Sequence, residues 1–271
     1  MAQNNMQRFT DQKYLTQDQY KDSGNLDARI AIHQKFSVNP QGWFNWIFDT
    51  LVQLPAESKI LELGCGSAEM WKECAGRIPA GWVITLTDLS DGMLDAAWRN
   101  LVPLGRNFKF EQMDAQTIPY ADKTFDVVIA NHMLYHVSDR EKALVEIKRV
   151  LKDDGRLIAT TVGNTHMREM YQLLKRVNTN PRPDMFVNPF TLENGLQQLQ
   201  NVFSQVKKSQ YADNLEVTEL EPLVAYIRSS ISAADVSEEK LGELKKDLIA
   251  TLEKEGKIFI TKDSGLFEAA K

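Results

Sequence analysis

The sequence predicts an α/β protein with a doubly wound, mostly parallel sheet, and two observations support this class. First, short apolar runs of strand length alternate with helix-like segments from residue 59 to residue 162. Second, one of these runs, residues 59–63, leads straight into Gly64 and Gly66 ahead of a helical segment. A buried parallel strand that turns sharply into a helix has this pattern, because glycine adopts backbone torsions that a side chain forbids.

The residues ahead of this strand, 1–55, are predicted to form an N-terminal arm and a helical cap. Residues 1–24 are polar and rich in Gln and Asn. Two helices are predicted over residues 25–37 and 41–54, because apolar residues there recur at spacings of three or four. The remainder, residues 56–271, is predicted to form one domain around the sheet.

Within this domain, strands and helices are predicted to alternate. Strands are predicted over residues 59–63, 83–87, 108–113, 125–130 and 156–162. Helices are predicted between them, over residues 67–78, over residues 91–102 and up to residue 151. Ser90 is expected to cap the second of these helices, and Ser138 with Glu141 to form a capping box at the third.

The second half of the domain is less regular, and residues 165–255 are predicted to form helical insertions on the substrate side of the sheet. Its predicted elements are helices over residues 165–178, 191–201 and 237–255, a sixth strand over residues 206–211, and a break at residues 180–183. The last helix has the clearest pattern, and Gly256 follows it as a stop signal. Residues 257–271 are predicted to form a C-terminal hairpin.

The composition is that of an ordinary globular protein and excludes several functional classes. The chain has 271 residues, of which 43% are hydrophobic and 25% charged, and its net charge of −5 offers no basic surface for nucleic acid. No apolar segment has the length of a signal core or a membrane span. The cysteines, Cys65 and Cys74, form neither a disulfide framework nor a metal-binding motif. We therefore expect a cytoplasmic protein without a metal site, a membrane anchor or a nucleic-acid partner.

Function is expected where the predicted strands end, because ligands of open parallel sheets bind beyond the carboxyl ends of the strands. The residues at these ends are Glu62 with the glycine turn, Asp88, Asp114, Asn131 and His132. Glu69 occupies the position at which a dinucleotide-binding turn needs a third small residue. Together with Glu62 it predicts an acidic crevice, which suits a hydroxyl-rich or cationic ligand better than a polyphosphate. The alternative for Asp88 is helix capping, and the alternative for Asp114 is a solvated turn.

The segment Glu62-Leu63-Gly64-Cys65-Gly66 resembles the first motif of class I S-adenosylmethionine-dependent methyltransferases. Residues 130–137 are similar to the fourth motif of the small-molecule branch of that family, and the resemblance spans about residues 58–163. It implies a Rossmann-like, seven-stranded sheet with an antiparallel last strand, S-adenosyl-L-methionine as the cofactor, and methyl transfer to a small molecule. No proline follows Asn131, so the motif of amino-directed DNA methyltransferases is absent.

The resemblance also implies which residues hold the methyl donor. Asp88 would accept the ribose hydroxyls and Asp114 the adenine amino group, while the backbone N–H of Ala115 would face the ring. Leu89 and Met93 are expected to pack on the adenine or the ribose, with core packing as the alternative. The complete cofactor-binding set is Glu62, Gly64, Cys65, Gly66, Asp88, Leu89, Met93, Asp114, Ala115, Asn131 and His132.

The catalytic candidates follow the fourth strand. Methyl transfer is expected to be an in-line displacement, accelerated mainly by holding donor and acceptor collinear. If the acceptor needs a base, His132 or His136 is expected to serve, because neutral imidazole accepts a proton near pH 7. Their spacing of four would place them on one face of a helix, and the alternative for both is a structural role. Tyr135 is expected in the wall around the reacting groups.

The arm and the cap are predicted to supply lid and substrate residues. Phe9, Tyr14 and Tyr20 recur in an otherwise polar arm, which favours a lid that orders over an apolar ligand. Arg29 and His33 lie four apart on a predicted helix, so one face presents a cation and a titratable donor. Either is expected to meet the methionine carboxylate of the donor or a polar group on the acceptor. The alternative is a disordered tail followed by a structural helix.

Two other functions remain open at this level. One is an NAD-dependent oxidoreductase on the same type of sheet, against which Glu62 and Glu69 argue. The other is a non-catalytic module that binds S-adenosylmethionine. The expected partner is a small-molecule methyl acceptor, the expected assembly is a monomer or a homodimer, and the sequence does not indicate whether the acceptor atom is N, O, S or C.

Overall fold

The computed structural model describes residues 10–179, 188–230 and 235–271. The strands in these ranges are β1 Lys59–Leu63, β2 Val83–Asp88, β3 Phe108–Gln112, β4 Phe125–Asn131, β5 Leu151–Val162, β6 Gln205–Tyr211, β7 Asn214–Val217, β8 Ile258–Thr261 and β9 Ser264–Ala270. A seven-stranded sheet has the order β3-β2-β1-β4-β5-β9-β6, and β9 runs antiparallel to both of its neighbours. The other six strands are parallel, which confirms the predicted fold class.

The described helices surround this sheet and line its edges. They are α1 Gly24–Phe36, α2 Trp43–Leu51, α3 Glu69–Glu73, α4 Asp91–Leu101, α5 Arg140–Val150, α6 Arg168–Val177, α7 Gly195–Gln200, α8 Leu220–Ser230 and α9 Glu238–Glu255. Before α1, a short helical segment over Gln12–Tyr14 continues as a π-helical turn over Leu15–Gln19. In the described ranges no helix is both long and apolar enough to cross a bilayer.

Hydrophobic layers cover both faces of the sheet. On one face, Leu61 of β1 belongs to a cluster that includes Leu144 of α5 and Leu199 of α7. On the other, Ile60 of β1 belongs to a cluster with Phe48 of α2 and residues of α3 and α4. Because both faces are covered, the central strand β1 is buried continuously over residues 60–63 rather than at alternate positions.

Two helix starts differ from the prediction. The cap of α5 is Asp139, whose side chain accepts from the N–H of Lys142 at 3.0 Å, whereas the Ser138 hydroxyl donates to Gln116. The carboxylate outcompetes the neighbouring hydroxyl because a charged acceptor makes the stronger cap. The helix predicted over residues 67–78 is also shorter, because Ala68 takes a left-handed φ of 59° and α3 begins only after it.

The predicted C-terminal hairpin does not form. Its first strand, β8, pairs with β7 in a separate two-stranded sheet, and its second, β9, lies between β5 and β6. The buried Leu266 and Phe267 of β9 explain this, because they find apolar cover on both faces of the main sheet. Neither β7 nor α8 was predicted.

The insertions form a second body beside the sheet. A third cluster joins buried residues of α1, α6, α8 and α9 with those of β7 and β8. The cap helix α1 therefore packs on the segment between β6 and β9 rather than on the sheet. The predicted break at residues 180–183 lies outside the described residues.

Candidate active site

A cavity of about 940 Å³ lies at the carboxyl ends of β1, β2 and β4. Between β1 and β4 the strand order changes direction, which is where ligands of doubly wound sheets bind. Strand-end loops form one wall, which we call the donor side. The arm, α1 and the insertions form the other, which we call the acceptor side. All four histidines of the chain line this cavity.

The structure brings every predicted site residue to this one cavity. From the strand ends these are Glu62, Gly64, Cys65, Gly66, Asp88, Leu89, Met93, Asp114, Ala115, Asn131, His132, Tyr135 and His136, and from the arm and cap Tyr14, Tyr20, Arg29 and His33. Phe9 lies outside the described residues. The roles given to these residues remain predictions.

The turn after β1 requires both of its glycines. Gly64 has a φ of 66°, and a Cβ there would lie 2.8 Å from the Cβ of Met133. Gly66 has a φ of 54°, and a Cβ there would lie 2.9 Å from a methyl carbon of Leu26. Side chains would therefore collide with the wall of the cavity on both sides of the turn. Leu26 belongs to α1, so the cap helix lies directly against this turn.

Asp88 ties the end of β2 to the same turn. Its Oδ2 accepts from the N–H of Gly66 at 3.0 Å, and its Oδ1 accepts from the N–H of Ser90 at 2.9 Å. Burial raises the pKa of Asp88, and these backbone donors oppose the rise. Helix capping is the task of Ser90, whose hydroxyl accepts from Met93 at 3.3 Å. Each carboxylate oxygen keeps a further acceptor position for a hydroxyl in the cavity.

Glu62 is held by partners rather than open to the crevice. Only 2% of the residue is exposed, Trp71 donates its indole N–H to Oε2, and Asn131 donates to Oε1 at 2.8 Å. Burial raises the pKa of Glu62 to about 7, against the lowering effect of these two donors. Glu69 is likewise engaged, by Asn100 at 3.1 Å. The crevice is therefore less acidic than predicted, because hydrogen bonds within the fold occupy acceptor positions of both carboxylates.

Asp114 is joined to the arm by a contact that the sequence did not predict. Gln12 donates to its Oδ2 at 2.8 Å, and the N–H of Gln116 donates to its Oδ1 at 2.9 Å. Burial opposes ionisation, but the hydrogen bonds from Gln116 and Gln12 outweigh it, so the pKa of Asp114 is lowered. The arm therefore touches the donor side at the third strand end.

The two histidines after β4 lie in different environments. The segment turns as a 3₁₀ helix over Leu134–His136, so the predicted shared α-helical face does not exist. His132 has a φ of 48°, and its ring lies 5.4 Å from that of Trp43. Burial lowers the pKa of His132 to about 4, which keeps the imidazole neutral. His136 instead meets the arm, with its Nε2 lying 3.0 Å from the hydroxyl of Tyr20.

The acceptor side is built largely from the insertions and the turn between β8 and β9, which supply residues that sequence reasoning missed. These are His166, Tyr171, Tyr226 and Lys262. His166 stacks on His33 at 5.9 Å, and burial lowers its pKa to about 3. The sequence signal that could have identified His166 as a site residue is its position shortly after the fifth strand. Among the described residues, no group of three or more His, Cys, Asp or Glu is arranged to hold a metal ion.

Comparison with known proteins finds similar sequences for the central part of this chain. Residues 61–159 match the family model described as a methyltransferase domain. The chain is 34% identical over 146 residues to a demethylmenaquinone methyltransferase of Lactobacillus johnsonii, covering 51% of this chain. It is 33% identical over 102 residues to a ubiquinone/menaquinone biosynthesis C-methyltransferase of Idiomarina loihiensis, covering 37% of this chain.

Solved structures extend the likeness in fold beyond the matched segment. The phosphoethanolamine N-methyltransferase 2 of Haemonchus contortus, solved in complex with S-adenosyl-L-methionine, superimposes with a TM-score of 0.58. Its sequence is 19% identical, and the match covers 97% of this chain and 60% of that one. At this identity the likeness concerns the fold alone.

The resemblance to class I S-adenosylmethionine-dependent methyltransferases that the first and fourth motifs predicted is therefore confirmed over residues 61–159. The cofactor of this family is S-adenosyl-L-methionine. The chain spans 59% and 41% of the length of the two curated relatives, so the acceptors of those relatives are not assigned to this chain.

Proposed function

We propose that this chain transfers the methyl group of S-adenosyl-L-methionine to a small-molecule acceptor. The observation that carries the proposal is the cavity at the strand ends, in which the turn after β1 faces an acceptor side lined by aromatic and histidine side chains. In this proposal residues 1–55 act as arm and cap, and residues 56–271 as the catalytic domain with its insertions.

The donor side fits the cofactor on geometric grounds. The turn at Gly64 and Gly66 lies in the wall of the cavity, where backbone without side chains lets a ligand approach closely. Asp88 would hold the ribose hydroxyls, since its carboxylate retains acceptor positions beyond its two backbone donors. Asp114 and the N–H of Ala115 would hold the adenine. When bound, the cofactor supplies a methyl group made electrophilic by a sulfonium.

His136 is the proposed base where the acceptor must lose a proton. The hydroxyl of Tyr20 lies 3.0 Å from its Nε2, so a proton can pass from the acceptor to Tyr20 as that hydroxyl's own proton moves to His136. The ring of Tyr135 lies 4.5 Å from that of His136 and fixes its orientation. His132 is too deeply buried to gain a charge easily and instead forms the wall beside Trp43.

The identity of the acceptor rests on residues outside the matched segment. Arg29, His33, Tyr171 and Tyr226 all line the acceptor side, and none lies within residues 61–159. Likeness to the quinone-methylating relatives therefore supports the donor chemistry more than the acceptor. The proposal leaves the acceptor atom, whether N, O, S or C, to experiment.

The test is a labelled-methyl transfer screen of the full chain against a metabolite extract, with mass spectrometry of the product. We expect release of S-adenosylhomocysteine together with a product that carries one additional methyl group. His136→Gln should lower turnover without changing S-adenosylhomocysteine affinity, because His136 meets Tyr20 of the arm and is not among the residues proposed to hold the donor.

Two outcomes would contradict the proposal. Tight binding of S-adenosylhomocysteine without turnover of the donor on any acceptor would favour a non-catalytic module. Binding of NADH in place of S-adenosylhomocysteine would favour an oxidoreductase.

A further inference from the structure

The acceptor side contains two buried polar atoms that the fold leaves without partners. Among the described residues, neither Nη2 of Arg29 nor Nδ1 of His33 has a hydrogen-bond partner. Both belong to α1, one turn apart, and both residues line the cavity. A buried polar atom without a hydrogen-bond partner costs stability. Two such atoms in one cavity therefore mark a place where a ligand would supply the missing hydrogen bonds.

Arg29 is a cation whose guanidinium is paired with no carboxylate among the described residues. Its Nε donates to the backbone oxygen of Asn25 at 3.1 Å, and its guanidinium lies 5.5 Å from the ring centre of Tyr20. Burial lowers the pKa of Arg29, whereas the hydroxyls of Tyr20, Tyr226 and Tyr135 raise it. No carboxylate is among the groups that raise it. Since arginine stays protonated, its charge lies in the cavity with no compensating carboxylate in the described part of the chain.

The other buried cation of this cavity is already neutralised. Lys262 forms an ion pair with Asp213, and both side chains are almost fully buried. His33 adds no charge, because burial and the neighbouring cations lower its pKa well below the ordinary value. Within residues 10–179, 188–230 and 235–271, the acceptor side therefore presents an unpaired positive charge beside the neutral imidazole of His33, which matches a ligand with a single negative charge rather than a phosphate dianion.

We propose that the methyl acceptor is a small organic acid whose carboxylate binds Arg29, with His33 hydrogen-bonded to the same end. The guanidinium presents a planar fork that matches a carboxylate, and the rings of Tyr20, Tyr135, Tyr171 and Tyr226 around it suit an apolar or aromatic body. This proposal rests on the proposed function and adds the substrate class to it. Tyr226 belongs to the insertions rather than to the strand ends, which favours the acceptor over the carboxylate of the donor.

The test measures binding of matched acids and amides to the full chain saturated with S-adenosylhomocysteine. The probes are phenylacetate and 3-phenylpropanoate, compared with phenylacetamide and 3-phenylpropanamide. We expect the wild type to bind the acids about tenfold or more tightly than the amides, because a charge-assisted hydrogen bond is lost with the amide. Arg29→Met should remove this preference.

Lys35→Met is the matched control. Lys35 lies on the same helix and its variant changes the net charge equally, but it is half-exposed and pairs with Glu219 outside the cavity. This variant should keep the preference for acids. In the absence of ligands, Arg29→Met should melt at the same temperature as the wild type or higher, because it removes an uncompensated buried charge. A structural arginine would instead leave the variant less stable.

Three results would overturn the proposal. One is a wild type that binds acids and amides equally or not at all while binding S-adenosylhomocysteine normally, which would leave the proposed function intact. Another is clear destabilisation of Arg29→Met in the absence of ligands. The third is an Arg29→Met variant that loses affinity for S-adenosylhomocysteine but not for 5′-methylthioadenosine, which lacks the carboxylate. That result would assign the guanidinium to the donor. A wild type that does not bind S-adenosylhomocysteine would instead refute the proposed function itself.

Discussion

At the scale of single residues, the donor side depends on carboxylates that also hold the fold together. Asp88 accepts two backbone N–H groups and Glu62 accepts from Trp71 and Asn131, so neither is a free surface acid. A residue that fixes a turn and faces a ligand is positioned before the ligand arrives. Such preorganisation reduces the ordering that binding would otherwise require.

Asp88→Ala should weaken S-adenosylhomocysteine binding at least about tenfold. The reason is loss of a charge-assisted pair worth roughly 1.5–3 kcal/mol, together with loss of the anchor for the N–H of Gly66. Calorimetry of the purified variant measures the change. Asp91→Ala is the control, because Asp91 is exposed on the first turn of α4 and does not line the cavity. Equal affinities for Asp88→Ala and the wild type would remove Asp88 from the site.

At the scale of elements, the arm is tied to the site at three points. Gln12 donates to Asp114 at 2.8 Å, and Tyr20 meets His136 through its hydroxyl and accepts from Ser90 through its backbone oxygen at 2.7 Å. These contacts cross to three different strand-end loops. The segment is thus positioned to close the cavity from the side where both ligands meet, as a lid does when it excludes water.

Hydrogen exchange should report this closure directly. Amides between Tyr14 and Phe36 should become more protected when S-adenosylhomocysteine is added, because the arm contacts the residues that would hold it. Helix α9 provides the internal reference, since none of its residues lines the cavity. Removal of residues 1–24 should reduce turnover. Identical exchange rates in both states, together with full turnover of the shortened chain, would show that the arm is no lid.

The parts of this structure that could be predicted are those with local causes. The glycine turn, the strand ends and the cap Ser90 each depend on residues close in sequence, and the structure has them where predicted. The failures depend on distant partners. Residues 257–271 have the pattern of a hairpin, yet β8 pairs with β7 and β9 pairs with β5. The reason is that strand pairing follows the apolar cover available on each face of the sheet.

The same distinction applies to the site. Its strand-end residues were predicted, because a parallel sheet brings the carboxyl ends together whatever the loops do. The contact between Gln12 and Asp114, and the meeting of His33 with His166, join residues about a hundred or more positions apart. Such contacts could not be predicted, because they leave no periodic pattern in the sequence.

At the scale of the whole molecule, buried titratable groups couple stability to pH with opposite signs. An unfolded histidine gains a proton below about pH 6.5, whereas His132 and His166 stay neutral until their pKa values of about 4 and about 3. Below pH 6.5 the unfolded state therefore binds more protons, and stability falls. Glu62 acts in the opposite direction, because its pKa of about 7 lies above that of an unfolded glutamate.

The melting temperature should accordingly decrease as the pH falls from 6.5 to 5, because the two histidines that destabilise the folded state outnumber the one glutamate that stabilises it. Glu62→Gln should make this decrease steeper, because it removes the group that favours the folded state at low pH. Thermal melts in buffers of equal ionic strength measure both slopes. Glu57→Gln, at an exposed position, is the control. A slope that is unchanged in Glu62→Gln would show that Glu62 titrates normally in the folded protein.

The position of β9 has a consequence for how the chain reaches its native state. β6 pairs only with β9 in the described residues, and β9 follows β5 by about a hundred positions. Loop-closure entropy therefore costs more for the pairing of β9 with β5 than for that of β1 with β2, which are close in sequence. Asp263 and Ser264, which lead into β9, also supply the contacts to the ring of His166. The acceptor side around His166 is therefore complete only when β9 has taken its place in the sheet.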